Sequence, residues 1–153
     1  MGNTKPIGVA YSDQDIIGAD TLDATTVSAD NISGAEIYAT EELGYAAAAQ
    51  GAVTQLTDKS TAVTLNKAAG QITMVNSALA GGDAVSFTLN NTFISANDII
   101  ILNIGAGAVA DPKAYIVYVS SMTAGSVVIT LRNLSATSRS EALVLNFAII
   151  HCL

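Results

Sequence analysis

From Ala52 to the C-terminus the chain is written in short apolar or alternating runs, cut by turn signals about every 8–12 residues, and this rhythm admits few folds. Candidate strands are 53–57, 61–66, 70–75, 84–90, 98–104, 114–120, 126–133 and 141–150. Val85, Phe87 and Leu89 alternate with Ser86, Thr88 and Asn90, the period of a strand with one buried face. Turn signals fall at Ala69-Gly70, Gly81-Gly82-Asp83, Gly105 to Pro112, Ala124-Gly125 and Ser135 to Ser138. Strands joined this closely predict a mainly β body over residues 51–153. The expected form is an antiparallel β-sandwich, jelly-roll-like in type.

Two strands break the alternation. Leu143, Leu145, Phe147 and Ile149 make one apolar face, but Ala142, Val144, Ala148 and Ile150 make the other apolar too. The run Ile99-Ile100-Ile101-Leu102 is likewise apolar on both faces. Only 12% of residues are charged, against about 25% in a usual soluble domain. A domain of this size has no room for an outsized core, so part of the apolar surface is expected to meet other chains.

The charge is unevenly placed. Residues 1–50 carry eight acids against Lys5, a net of −7, while five acids and five bases cancel over residues 51–153. Within that acidic third, residues 19–38 form four five-residue units, each led by Ala19, Ala24, Ala29 or Gly34. A branched aliphatic recurs at Leu22, Val27, Ile32 and Ile37, and Ile17 extends the series backward. Period five matches neither helix nor strand, and suits a chain that turns at each small residue and points one aliphatic inward. Twenty residues make too little of a solenoid to stand alone, so residues 1–50 are expected to be an extended arm that needs a partner surface. Residues 35–49 are the single helix candidate, with Thr40 to cap, Glu41 and Glu42 at its start and a run of alanines. A short helix or hinge is therefore expected between arm and body.

The residues exclude most chemistry. His151 is the one histidine and closes an apolar strand, where a structural role is expected; with Cys152 beside it, it does not make a zinc site. Asp13-Gln14-Asp15 opens like a calcium loop, but Ile17 and Ala24 stand where ligands are required. Gly105-Ala106-Gly107 lacks the third glycine and following helix of a dinucleotide site. Glu141 is the one glutamate of the body, and no pair of acids stands out for acid–base work. Six scattered bases without tryptophan give no nucleic-acid footprint. No stretch reaches the roughly 18 apolar residues of a membrane span, and nothing near Met1 resembles an export signal, so synthesis in the cytosol is expected. The chain is read as non-enzymatic, with no cofactor, metal or small-molecule substrate. The single cysteine excludes an internal disulfide.

The run from Gly51 through Asp58-Lys59-Ser60 to Met74 resembles a domain that recurs in virion proteins of tailed bacteriophages, as do Ala84 to Thr92 and Arg132 to Ile150. The similarity covers the whole body, and the five-residue repeat is similar to segments of phage fibres and head-attached arms. The resemblance implies a homotrimer displayed on a particle, made in the host cytoplasm and carried on the capsid surface. The leading expectation is a capsid decoration, or cement, protein. Its arm would meet the major capsid protein through Ile17, Leu22, Val27, Ile32 and Ile37, and its trimer interface would use Ile100, Leu102, Val144 and Ile150. The alternative is a tail-fibre or head-fibre subunit involved in binding a host receptor.

Overall fold

Inward and outward side chains alternate along the strand at Ala84–Asn90: Phe87 and Leu89 are buried, while Ser86 and Asn90 face out. The other strands largely follow the same rule, because burying alternate apolar side chains leaves most of the polar set in water, although the outward Thr130 is buried as well. The computed structural model describes residue 39 and residues 41–107 and 111–152. The strands are β1 (Gln50–Thr54), β2 (Val63–Thr64), β3 (Ala69–Thr73), β4 (Ala84–Asn90), β5 (Ile99–Ala106), β6 (Tyr115–Thr123), β7 (Ser126–Asn133) and β8 (Val144–Ile150). All belong to the unit Glu41–Leu153. No helix among the described residues is long and apolar enough to cross a membrane.

Two four-stranded sheets result, the first ordered β1-β3-β8-β5 and the second β2-β4-β7-β6. Their inner faces share one core. Leu145 and Ile149 of β8 and Ile72 of β3 come from the first sheet, and Ile129 and Leu131 of β7 and Leu89 of β4 from the second; each is fully buried. A side chain of this kind contributes roughly 1.5–3 kcal/mol on burial. The β6–β7 hairpin closes at Ala124-Gly125, where Gly125 takes φ +82°, a conformation that costs glycine little.

The expectation of a wholly antiparallel sandwich needs correction. β1 runs parallel to β3, and β2 parallel to β4. The reason lies in the order of crossing: β1, β2, β3 and β4 alternate between the sheets. Each crossing reverses the chain, so two crossings return it to its first sheet in its first direction. Turn residues mark where a chain reverses and say nothing of which sheet takes the next strand.

The linking helix is a second correction. Within residues 41–49 the sole helical element is one 3-10 turn, Ala47–Ala49, with no side-chain cap at Ala46. Thr40, the intended cap, lies outside the described residues. Leu43 is 88% exposed and no residue of the turn is buried, so packing against the body gives a helix here little support. Helices this short form when packing supports them, whatever the propensity of alanine.

Candidate functional site

The strand registers place the outer side chains of the first sheet in rows. Ile99 of β5 stands opposite Ile150 of β8. Ile101 lines up with Ala148, Ala69 and Gln50, and Asn103 with Asn146, Gln71 and Ala52. Val144, Thr73 and Thr54 complete the face. No side chain in these rows carries a charge. Ile99, Ile101 and Ile150 are 55%, 52% and 46% exposed, and β5 is an edge strand of its sheet. Edge strands of monomers usually carry a charge, a proline or a cover that blocks pairing. Arg132 of β7, in the other sheet, is the one charged residue in any of the eight strands.

Of the four residues expected at a subunit interface, Val144 and Ile150 stand on this outer face. Ile100 and Leu102 do not: they point inward and pack against the core. The outward side chains of β5 here are Ile99 and Ile101 instead. A run of four aliphatics has no polar mark to show which parity faces in, and one residue of register exchanges the two sets. Ile17, Leu22, Val27, Ile32 and Ile37 lie outside the described residues.

The second sheet shows a different outer face. Ser86 Oγ and Thr130 Oγ1 are 2.8 Å apart, and Thr130 Oγ1 donates to Ser120 Oγ, also at 2.8 Å. Three hydroxyls from β4, β7 and β6 therefore satisfy one another. Ile116 and Tyr118 flank them, both partly exposed.

A polar cluster that sequence reading missed closes one end of the sandwich. Lys59 is 3% exposed, and its Nζ donates to the carbonyls of Val75 (2.6 Å) and Glu141 (2.8 Å). Burial holds this ammonium below its ordinary pKa, with the charge of Glu141 opposing. The Glu141 carboxylate accepts from Tyr115 Oη (2.5 Å) and from Arg139 (3.1 Å), and Arg139 reaches Asp111 at 3.3 Å. The Tyr115 hydrogen bond, above all, holds Glu141 below the usual carboxylate range. Burial and the neighbouring carboxylate push the Tyr115 phenol up. These groups face one another, so the cluster works as a clasp between loops. Lys59 and Glu141 are 82 positions apart, and no local spacing could have announced them.

At the other end, Asp98 accepts from the backbone N–H of Ser95 (2.7 Å) and Cys152 (3.3 Å), and His151 Nδ1 stands 2.9 Å from its Oδ2. The Ser95 amide, first, holds this carboxyl low. His151 thus has the structural place expected of it, tying the end of β8 to the start of β5. Among the described residues no group of three histidine, cysteine or acidic side chains is placed to hold a metal ion. No family model, no curated protein and no solved structure matches this chain.

Proposed function

We propose that the protein is a structural component of a tailed-phage virion, a decoration protein that binds the outside of the capsid as a homotrimer and stabilises the shell. What carries the proposal is the aliphatic β5 side of the first sheet's outer face, where Ile99, Ile101 and Ile150 are half-exposed along an uncharged edge strand. A monomer would leave this surface in water, where burying the half of each such side chain still exposed offers roughly 1 kcal/mol. Copies packed on it would bury that area and cover the edge.

In this proposal the body is a jelly-roll type of sandwich with a parallel strand added at one edge of each sheet. Residues 1–50 are the arm, and their net charge of −7 is drawn to a basic surface on the major capsid protein. Ile17, Leu22, Val27, Ile32 and Ile37 supply the apolar contacts. The protein works by clamping neighbouring capsid subunits and has no catalytic step.

Sedimentation equilibrium of the full chain at micromolar concentration should return three times the 15.6 kDa chain mass. Titration onto undecorated shells should saturate at hundreds of copies per particle. A stable monomer that does not bind shells would end the proposal, and saturation at a few copies would favour a fibre.

A further inference from the structure

The outer face of the first sheet is chemically divided. Its β5 side is aliphatic, while its β1–β3–β8 side holds a shallow groove of about 660 Å³ lined by Gln50, Ala52, Ala69, Gln71 and Asn146. Gly51, Gly70 and Phe147 also border it. The alternation turns those three positions inward, so they reach the groove through backbone alone. The floor is therefore alanine and main chain, and the polar groups above it are carboxamides.

These carboxamides are held in place. Gln71 Nε2 donates to Asn146 Oδ1 at 3.1 Å, and Gln50 Nε2 donates to the Tyr45 carbonyl at 2.7 Å. Gln50 and Gln71 each retain an amide oxygen, and Asn146 its Nδ2 donors, without a partner among the described residues. Asn146 also has a seat prepared for it. The β5–β8 register shifts between Ile104 and Ala106, and a Cβ on Gly105 would stand 2.4 Å from Asn146 Nδ2.

We infer that this groove binds a neutral oligosaccharide of two or three rings. Its volume lies within the roughly 300–1,000 Å³ of small-ligand sites. Carboxamides supply both donor and acceptor, which vicinal sugar hydroxyls require together. Among the described residues no cation lines the groove to meet an anionic polymer. An apolar ligand would leave the carboxamides buried and unpaired, at a cost. An extended peptide adds at a sheet edge through main-chain bonds, whereas this groove crosses β1, β3 and β8, whose facing main chains are paired with one another. The inference goes beyond the shell-binding role and holds whether or not the protein decorates a capsid.

The test is saturation-transfer NMR with soluble neutral oligosaccharides of glucose, galactose, mannose and their N-acetyl forms at millimolar concentration. Uronic-acid oligomers serve as the charged comparison. At least one neutral series should bind saturably. Ala52→Tyr, which fills the floor, and Asn146→Ala, which removes the central amide, should each weaken it at least tenfold. Gly105→Ala should weaken it while keeping every carboxamide, because it displaces Asn146. Thr88→Ala on the second sheet should change nothing. Circular dichroism confirms that each variant is folded, and sedimentation of the same variants separates loss of the groove from loss of assembly. Absence of any neutral binding, binding confined to uronic acids, or binding that survives both Ala52→Tyr and Asn146→Ala would overturn the inference.

Discussion

The two sheets meet at one core but turn different surfaces to solvent. On the second, Ser86, Thr130 and Ser120 spend their hydroxyls on one another, and Arg132 marks one corner with a charge. On the first, carboxamides keep spare donors and acceptors, and the aliphatics along β5 have no charged neighbour in their strand. The same alternation builds both. The difference lies wholly in the residues the core does not use, and it teaches that outward positions, free of packing demands, are where such a sandwich records its partners. The hydroxyl row of one sheet is closed on itself, and the carboxamide row of the other is open.

Assembly offers the largest contrast. Ile99→Lys and Ile101→Lys on the first sheet should each remove roughly 1 kcal/mol of burial per subunit and desolvate an ammonium besides. The proposed trimer should then dissociate to monomer in sedimentation equilibrium. Ile116→Lys and Tyr118→Lys on the second sheet should leave the mass unchanged. If the second pair dissociates the protein and the first does not, the assembly face has been assigned to the wrong sheet.

Stability gives a smaller and opposite contrast. Thr130→Val strips the shared partner from Ser86 and Ser120 and should cost about 1 kcal/mol. Asn146→Ala removes an outward side chain whose bonds water can replace, and should stay within about 0.5 kcal/mol. Urea denaturation midpoints compare the two. Equal losses would mean that the amide row is as structural as the hydroxyl row.

The finest contrast is in pH. Asp98, just before β5, has its carboxyl held below the ordinary 3.8, first by the Ser95 amide. A depressed carboxyl stabilises the fold above its unfolded value and loses that contribution as pH falls through its folded value. Tyr115, which opens β6, has its phenol raised above the ordinary 10.0, first by burial. Its contribution is complete below pH 10.0 and is lost as pH rises through the folded value. In a melting-temperature profile, Asp98→Asn should flatten part of the acid limb, which Asp58 and Glu141 share because both are also depressed. Tyr115→Phe should flatten the alkaline limb. A profile unmoved at both ends would show that neither group is coupled to folding.

Much of the architecture was legible in the residues. β4 and β7 run over 84–90 and 126–133, the bounds that their alternation predicts. The other six strands overlap their candidate spans with ends displaced by up to three residues, and Ala69-Gly70 and Gly105, expected in turns, lie instead inside β3 and β5, where strand pairing holds them. β8 begins at Val144, after the Leu143 carbonyl accepts from the Met74 amide and the Glu141 carbonyl from Lys59. The candidate site was half legible. An unusual apolar surface on β5 and β8 could be read, but not its parity on β5, because Ile99 to Leu102 look alike from either side. The groove could not be read at all, since Gln50, Gln71 and Asn146 come from three strands that only pairing brings onto one face.

By itself, then, the sequence determined what is local and periodic. It set roughly where strands run, which positions alternate, how little charge the body carries and that residues 1–50 hold the net −7. These follow from the two-residue period of a strand and the preferences of turns, which neighbouring residues settle among themselves. The tertiary structure decided which sheet each strand joins, that β1 and β3 run the same way, and which isoleucines of β5 stay in the open. It also decided that Lys59 meets Glu141. Those outcomes depend on contacts between residues distant in the chain, whose energies come from burial and from paired polar groups, and neither exists until the sheets close.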